Sequence, residues 1–330
     1  MILHVQKKAN LAALQDFYRA YAIEEKDYYV LITPSSLKEV DESHQADIIA
    51  SFPMDSDIQL ASRKYIPSTR EIKFSDTLTI GGATNHTMMI TGPCSVESEE
   101  QIDQVAKFCV EQGVKVLRAG CYKPRTSPYT FQGLGHKGLI LLAKMRDKYG
   151  LKIITEVKDA THVDDVIEFA DIIQIGAKAM YDHGILRACS KIQKPIVLKR
   201  GFGSTLQEFV QSAEFILSGG NMNVALCERG IRTYETKTRF TLDLCGVAYL
   251  KEHTNLPIIL DPSHAMGYAY GVADLTRACV AMGIDGLLIE THPDPSVAKS
   301  DASQQLNFEK FSVLKNSLDK VAESVGRKMI

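Results

Sequence analysis

The stretch that indicates the fold is residues 195–228, PIVLKRGFGSTLQEFVQSAEFILSGGNMNVALCE. It opens with an apolar run over residues 195–199 and closes with another over residues 223–228. Between them, residues 206–217 repeat apolar side chains at the spacing of an amphipathic helix. Continuous apolar runs separated by such a helix are typical of parallel strands that are buried on both faces. The stretch therefore predicts a strand–helix–strand unit.

The same alternation extends from this unit in both directions. Amphipathic segments, such as residues 99–112 and 275–282, lie between further runs of strand length. These runs are residues 87–92, 115–119, 152–157, 171–176, 257–261 and 285–290. Eight such units predict a closed (β/α)8 barrel, which typically takes roughly 250 residues. An open doubly wound sheet is the alternative, but residues 92–95 (GPCS) lack the glycine-rich phosphate fingerprint expected after its first strand.

A change in composition separates the beginning of the chain from the barrel. Residues 1–80 contain no glycine and no cysteine, whereas all 22 glycines and all seven cysteines follow. Strand-like runs at residues 2–6 and 28–33, with a helix capped by Asn10 between them, predict a small α+β unit of the ferredoxin-like type. An irregular arm that packs on the barrel or on a neighbouring subunit is the alternative.

We expect two domains, an N-terminal unit over residues 1–74 and the barrel over residues 75–330. Within the first, residues 45–51 suggest a short helix and residues 64–74 an extended segment.

Charge and hydropathy exclude several classes of function. The formal net charge of −2 indicates no bulk attraction to nucleic acid or to a membrane surface. The chain has no apolar run of membrane-spanning length and no signal peptide, so we expect a cytoplasmic location. The seven cysteines show no paired spacing and are expected to be thiols.

Polar residues recur at the predicted carboxyl ends of the strands, where barrel enzymes form their active sites. Each could be structural by itself, but charges that converge on one mouth destabilise a protein unless ligands or a metal neutralise them. We therefore interpret them together as a site. They are Cys94, Arg118, Glu156, Gln174, Lys199, Arg200, Glu228, Arg229, Asp261, His264 and Glu290, followed by His292 and Asp301.

Four of these residues form a candidate metal site. Cys94, His264, Glu290 and Asp301 supply a thiolate, an imidazole and two carboxylates from strands one, seven and eight, which are neighbours in a closed barrel. A mixed set of sulfur, nitrogen and oxygen ligands suits Mn, Fe, Co or Zn better than Ca or Mg. The identity of the metal stays open at this point.

A second group is cationic and predicts anionic substrates. Guanidinium and ammonium groups bind carboxylates and phosphates. The number of cations fits two phosphorylated substrates, of which one also carries a carboxylate. The group comprises Arg118, Lys123, Arg125, Lys199 and Arg229, with hydroxyl donors at Thr126 and Ser127.

Several motifs resemble those of the 3-deoxy-D-arabino-heptulosonate 7-phosphate synthases, type I beta class. The resemblance covers about residues 75–325 and keeps the order of the motifs. They are residues 92–97 (GPCSVE), 117–120 (LRAG), 123–128 (KPRTSP), 174–176 (QIG), 198–201 (LKRG), 228–230 (ERG), 261–264 (DPSH) and the stretch from 290 (ETHP) to Asp301.

The resemblance implies the first step of the shikimate pathway, in which phosphoenolpyruvate and erythrose 4-phosphate condense and release phosphate. It also implies roles for the residues that match the motifs. Asp261 would assist the aldehyde end of the acceptor, and His264 would act at the reacting centre as a metal ligand. The implied metal ligands are Cys94, His264, Glu290 and Asp301. Phosphoenolpyruvate would be bound by Arg118, Lys123, Lys199 and Arg229. The acceptor phosphate would be bound by Arg125 and Thr126.

Lys123 is the candidate proton donor for the new alkoxide. It lies between the two implied substrate sites, and we expect its neighbouring cations to lower its pKa. The alternative is that Lys123 only binds phosphate. A metal in the site would polarise the aldehyde as a Lewis acid.

Three other functions stay open as alternatives. The sister family makes 3-deoxy-D-manno-octulosonate 8-phosphate from arabinose 5-phosphate, and it typically has KANRS where this chain has KPRTS at residues 123–127. A Schiff-base aldolase would use Lys199 as its amine. A regulatory, ligand-binding relative that has lost turnover would lack one of the metal ligands or substrate-binding cations of the family's motifs. This sequence has all of them.

The resemblance also bears on the N-terminal segment. Members of this class carry either a ferredoxin-like domain or an all-helical chorismate mutase domain. The strand-like runs and prolines before residue 75 favour the first. It implies feedback binding of Tyr or Phe between the subunits of a homotetramer, whereas a structural arm implies neither.

Overall fold

The N-terminal part of the chain is a four-stranded antiparallel sheet with one helix. The computed structural model describes residues 1–123 and 127–330. The second, third, first and fourth strands lie side by side in that order, as in a ferredoxin-like unit, but a 3-10 turn at Glu42–Asp47 replaces the second helix. The elements are β1 (Ile2–Gln6), α1 (Leu11–Tyr18), β2 (Tyr21–Glu24), β3 (Tyr28–Ile32) and β4 (Ile48–Phe52).

The two faces of this sheet bury different residues because strand side chains alternate. Leu3 and Val5 of β1 lie under α1, where they pack with Leu14. Ile2 points to the opposite face and joins the apolar core that continues into the barrel. Asn10 caps α1 by accepting a hydrogen bond from the backbone N–H of Ala13, as predicted.

The predicted helix at residues 45–51 is wrong. Residues 48–52 instead form β4, which pairs with β1, because tertiary pairing overrides a weak local preference. Of the predicted extended segment, only the end becomes a strand, β5 (Glu71–Ser75). This strand forms a hairpin with β6 (Leu78–Gly81), so the expected boundary between residues 74 and 75 falls inside β5.

A closed parallel barrel follows. Each strand pairs with the next, and the last pairs with the first, so the open-sheet alternative is wrong and the predicted (β/α)8 barrel is confirmed. A short C-terminal strand, β15 (Lys328–Met329), pairs with the beginning of β7. The barrel strands are β7 (His86–Gly92), β8 (Val116–Arg118), β9 (Lys152–Val157), β10 (Ile172–Ile175), β11 (Ile196–Lys199), β12 (Val224–Glu228), β13 (Ile258–Leu260) and β14 (Gly286–Glu290).

Helices lie between the barrel strands and cover their outer surface. Within the described residues no helix is both long and apolar enough to cross a membrane. The helices are α2 (Glu99–Glu111), α3 (His136–Tyr149), α4 (Val163–Phe169), α5 (His183–Ser190), α6 (Leu206–Ser218), α7 (Leu244–His253), α8 (Pro262–Met266), α9 (Ala269–Ala281) and α10 (Phe308–Ser324).

The interior of the barrel is filled with apolar side chains below the mouth. Met88, Ile154 and Leu288 point inward from three different strands and are fully buried. Ile72 and Ile80 of the β5–β6 hairpin join the same cluster and therefore form its floor. With the floor closed, the open end of the barrel is the end where the strands finish.

Glu214 of α6 fastens the segment that joins the N-terminal sheet to the barrel. Its buried carboxylate accepts hydrogen bonds from the backbone N–H groups of Gln59 (2.7 Å), Leu60 (3.2 Å) and Ala61 (2.7 Å). Burial raises the pKa of Glu214 to about 7, although these hydrogen bonds and Arg70 oppose the increase. One acidic side chain thus accepts hydrogen bonds from three consecutive backbone N–H groups of the connection, while Asn255 donates to the connection's backbone oxygens.

Replacing Glu214 tests this connection. We expect Glu214→Ala to lower the free energy of unfolding by ~2–4 kcal/mol, because it leaves buried N–H groups without an acceptor, and Glu214→Gln to lower it less. The pKa of Glu214 is higher in the folded chain than in the unfolded chain, so the folded state binds more protons between about pH 4.5 and 7. Stability should therefore fall as the pH rises through this range.

Urea unfolding at several pH values measures both effects. The Glu214→Gln variant should lack this part of the pH dependence. Equal stability of the wild-type protein and Glu214→Ala would contradict the role of Glu214.

Candidate active site

The rim at the carboxyl ends of the strands brings the predicted residues together. Glu290, the last residue of β14, pairs in register with Gly92, the last residue of β7. Gly92 has a φ of +145°, and a Cβ there would lie 2.1 Å from the backbone oxygen of Arg118. Only glycine fits this turn, which leads the chain to Cys94 beside Glu290.

The four predicted metal ligands converge on one point. Cys94, Glu290 and Asp301 each offer a ligand atom within 4.8 Å of the others. His264 Nε2 lies 3.4 Å from Glu290 Oε1 and 3.8 Å from Asp301 Oδ2. The four residues predicted from the sequence, which lie at the ends of β7, β13 and β14 or in the segments after them, are therefore close together in the structure.

The chemistry of these side chains fits a divalent metal. Burial, and next the charge of Glu290, raise the pKa of the Cys94 thiol to about 12, so a thiolate at this position requires strong positive charge beside it. His264 Nδ1 lies 2.7 Å from Asp261 Oδ2, which directs Nε2 toward Glu290 and Asp301. A carboxylate behind a histidine is the usual arrangement around a metal-bound imidazole.

The backbone at Asp301 is strained. Its φ is +48°, in the left-handed region that costs a residue other than glycine about 1–2 kcal/mol. Such conformations persist where the surrounding structure holds them, and they cluster at functional sites. Here the strained conformation brings the carboxylate of Asp301 within 3.5 Å of Cys94 Sγ.

A cationic cavity of about 370 Å³ opens beside the four ligands and includes His264 and Asp301 in its wall. Glu156 of β9 is the other acidic residue of this wall among the described residues. The cationic residues of the wall are Lys123, Lys178, Lys199, Arg229, Arg232 and Arg239. A wall of this composition is suited to ligands that carry several negative charges.

Lys123 is buried and lies against the proposed metal ligands. Its Nζ donates to the backbone oxygen of Cys94 (2.9 Å) and to Cys94 Sγ (3.1 Å). Burial alone would lower the pKa of Lys123, but the charges of Cys94 and Glu156 outweigh it and the pKa is raised. The expectation of a lowered pKa is therefore wrong, because Cys94, Glu156 and Glu290 together outweigh both burial and the neighbouring Arg118.

Arg229 presents an unsatisfied donor to the site. Its guanidinium lies over the ring of Phe240, 4.3 Å from the centroid. Its Nη1 is buried and has no hydrogen-bond partner in residues 1–123 and 127–330. Burial lowers the pKa of Arg229. A buried donor of this kind is costly to leave unpaired, so it favours an anionic ligand.

Arg118 and Asp261 lie behind the cavity wall and are fully or almost fully buried. Arg118 Nη1 donates to Glu290 Oε1 and to the backbone oxygen of Pro93, both at 2.7 Å. Asp261 Oδ2 accepts from Lys199 Nζ at 2.6 Å and also contacts His264. In this arrangement both residues hold other site residues in place.

Arg125 and Thr126, the predicted contacts of the acceptor phosphate, lie outside the described residues. Lys178, Arg232 and Arg239 were missed from the sequence, although all three line the cavity. Lys178 follows the quoted motif that ends at Gly176 by two residues. A search of the loops beyond the strand ends, rather than the ends alone, would have found it.

Comparison with known proteins agrees with this geometry. The model of the DAHP synthetase I family matches residues 67–327. This chain belongs to that family. DAHP is 3-deoxy-D-arabino-heptulosonate 7-phosphate, so the resemblance seen in the motifs is confirmed.

Two named relatives differ in their sequence identity to this chain. A Thermotoga maritima protein named phospho-2-dehydro-3-deoxyheptonate aldolase is 45% identical over 271 residues, which are 82% of this chain and 79% of that protein. A Methylobacillus flagellatus protein named 2-dehydro-3-deoxyphosphooctonate aldolase is 30% identical and aligns over 72% of this chain and 92% of its own.

Solved structures lead to the same family. The crystal structure of a DAHP synthase from Thermotoga maritima has a TM-score of 0.81 and 38% identity, and the alignment covers 100% of this chain and 99% of that chain. A truncated form of the synthase from the same organism has a TM-score of 0.76 and 42% identity, over 82% of this chain and 98% of its own.

Proposed function

We propose that this chain condenses phosphoenolpyruvate with erythrose 4-phosphate to give DAHP and inorganic phosphate, the first step of the shikimate pathway. One observation carries the proposal: a cavity walled by six cations opens beside four candidate metal ligands, two of which lie in its wall, at the mouth of a barrel of the DAHP synthetase I family. The identity of 45% to a heptonate aldolase, against 30% to an octonate aldolase, favours the shorter acceptor.

Cys94, His264, Glu290 and Asp301 would hold the divalent metal, which is Mn, Fe, Co or Zn. The convergence of their ligand atoms and the buried thiol support this assignment. When bound, such an ion supplies Lewis-acid polarisation of the acceptor's aldehyde group. The mixed ligand set accepts any of the four metals.

The cationic wall would bind the two substrates through their negative charges. Lys123, Lys199 and Arg229 are assigned to phosphoenolpyruvate, and the unsatisfied Nη1 of Arg229 supports an anion beside it. Arg118 is assigned to phosphoenolpyruvate as well: its Nη1 donates to Glu290 and to the backbone of Pro93, and its buried Nε has no hydrogen-bond partner within the described residues. Arg125 and Thr126 are assigned to the acceptor phosphate by their motif. Lys178, Arg232 and Arg239 extend the same positive surface.

The proposed reaction needs one proton at the oxygen of the acceptor's former aldehyde group. A carbon–carbon bond forms between C3 of phosphoenolpyruvate and the aldehyde carbon, water adds at C2, and the tetrahedral product expels phosphate. Lys123 is assigned to protonate the new alkoxide, because it is buried, charged and next to Cys94. Asp261 is assigned to the aldehyde end of the acceptor, and its carboxylate contacts both His264 and Lys199.

A Schiff-base aldolase is less well supported. Its nucleophile would be Lys199, whose Nζ lies 2.6 Å from Asp261 Oδ2. An ammonium group that is held in a buried ion pair is a poor nucleophile, because imine formation requires the neutral amine. The surrounding metal-binding side chains would have no part in that mechanism.

An assay of phosphate release tests the proposed reaction. The protein, loaded with Mn²⁺, should release phosphate from phosphoenolpyruvate with erythrose 4-phosphate and release far less with arabinose 5-phosphate. Chelation should abolish the release with either sugar, and added Mn²⁺ should restore it. Faster turnover with arabinose 5-phosphate would contradict the acceptor assignment, and full activity after complete removal of metal would contradict the metal site.

Replacing Lys123 separates proton transfer from binding. Lys123→Met should lower kcat by about 10²–10⁴-fold, with a smaller change in KM for phosphoenolpyruvate. Lys107→Met on the exposed surface of α2 is the matched control and should leave both constants unchanged. If Lys123 only binds phosphate, KM will rise while kcat stays near the wild-type value.

We propose further that the N-terminal unit binds an aromatic effector, Tyr or Phe, within a homotetramer. Its ferredoxin-like strand order and the implied regulation of this class support the proposal. Its edges β2 and β4 each pair with only one neighbour within the described residues. The unit ends at Phe52, before the segment that Glu214 holds.

Deleting residues 1–52 tests the regulatory role. The truncated protein should keep its turnover, because the segment fastened by Glu214 and the whole barrel remain, and it should lose inhibition by Tyr or Phe. Inhibition is measured by phosphate release over a range of effector concentrations. An inhibited truncated protein, or a full-length protein that neither amino acid inhibits, would contradict the proposal.

A further inference from the structure

Two adjacent glutamines follow the strained loop at Asp301 and are fully buried or nearly so. Gln304 is 0% and Gln305 1% exposed. Their segment runs beside the end of β14, where the N–H of Leu306 donates to the backbone oxygen of Glu290 at 2.9 Å. The two side chains reach different members of the proposed metal site, and neither belongs to the motifs or to the cavity wall.

Gln305 holds the backbone around Cys94. Its Oε1 accepts from the N–H of Cys94 at 3.0 Å, and its Nε2 donates to the backbone oxygen of Ser300 at 2.8 Å. Gln304 reaches the other side of the site. Its Nε2 donates to Glu290 Oε2 at 2.6 Å and lies 3.5 Å from Asp301 Oδ2.

The orientation of the Gln304 amide is determined by Arg239. An arginine can only donate hydrogen bonds, so the atom that faces Arg239 Nη1 at 2.7 Å must be the oxygen Oε1. The Nε2 group is therefore the one that faces Glu290. Because Arg118 already donates to Glu290 Oε1, hydrogen bonds fix both oxygens of this buried carboxylate.

We propose that Gln304 is a positioning residue, which orients Glu290 for the metal and links it to Arg239 in the cavity wall. The inference depends on the proposed metal site and adds a residue that the motifs do not assign. Outer partners of metal ligands typically change metal affinity by about 10–100-fold when they are removed. Loss of the Gln304 amide should weaken metal binding by a factor in this range.

Metal titration of chelator-treated protein tests the proposal. Gln304→Met keeps the size of the side chain and removes its hydrogen bonds to Glu290, Asp301 and Arg239, so its dissociation constant for Mn²⁺ should rise by about 10–100-fold. Gln59→Met is the matched control: Gln59 is buried and donates to the backbone oxygen of Thr33, far from the site in the fold. It should bind Mn²⁺ like the wild-type protein.

Two further measurements separate positioning from general damage. The Co²⁺-loaded Gln304→Met variant should keep the absorption band of a cobalt–thiolate bond, because Gln305 still holds Cys94. At saturating Mn²⁺ the KM for phosphoenolpyruvate should stay within about twofold of the wild-type value, because Gln304 makes no hydrogen bond to Lys123, Lys199 or Arg229. If Gln304→Met does not fold, the shorter amide of Gln304→Asn, which cannot reach both partners, serves in its place.

The outcomes distinguish this inference from the proposed function. If the wild-type protein binds neither Mn²⁺ nor Co²⁺, the proposed metal site fails. If the wild-type protein binds metal and the Gln304 variant binds it equally well, only the positioning role is overturned. Equal weakening in the Gln304 and Gln59 variants would likewise overturn that role, because it would reflect a general loss of stability.

Discussion

The pairing of β14 with β7 is the interaction on which the site depends. It closes the barrel and aligns Glu290 with Gly92, so that Cys94 lies beside a carboxylate from the opposite end of the chain. The same closure directs the carboxyl ends of all the parallel strands to one rim. The floor formed by the β5–β6 hairpin and the apolar interior leave that rim as the place where polar side chains collect. Ligands and cations therefore meet because of the closure itself.

Charge at the rim is distributed in two layers: a lower one of buried ion pairs behind the cavity, and an upper one formed by the cavity wall. In the lower layer, buried carboxylates have cationic partners: Glu290 pairs with Arg118, and Asp261 pairs with Lys199. Burial would raise the pKa of Glu290 and of Asp261, yet these cations together with His264 lower both. In the upper layer the cationic side chains of the cavity wall outnumber the acidic ones. The arrangement is thus suited to anionic substrates in the cavity and to a metal cation beside the Cys94 thiol. Gln304 contacts Glu290 in the lower layer and Arg239 in the upper one.

Much of this arrangement was predictable from the sequence. All eight barrel strands were located with no end more than one residue from the observed one, because buried parallel strands are apolar throughout. Three of the four proposed metal ligands lie at or just after a strand end, and Asp301 was found in the motif stretch that begins at Glu290. Lys178, Arg239 and Gln304 were missed because they lie within loops, where no periodic pattern marks a residue. The helix expected at residues 45–51 failed because its residues pair with β1, a contact that local preference does not encode.

The sequence by itself determined the barrel, the N-terminal α+β unit and the kinds of residue at the rim. These features follow from apolar periodicity and from the order of the motifs, both of which are properties of short stretches. Only the tertiary structure decided which of those residues contact one another. It paired Arg118 with Glu290 and Asp261 with His264, raised rather than lowered the pKa of Lys123, and brought Gln304 between Glu290 and Arg239. Such pairings depend on distances across the closed barrel, which join residues far apart in the chain.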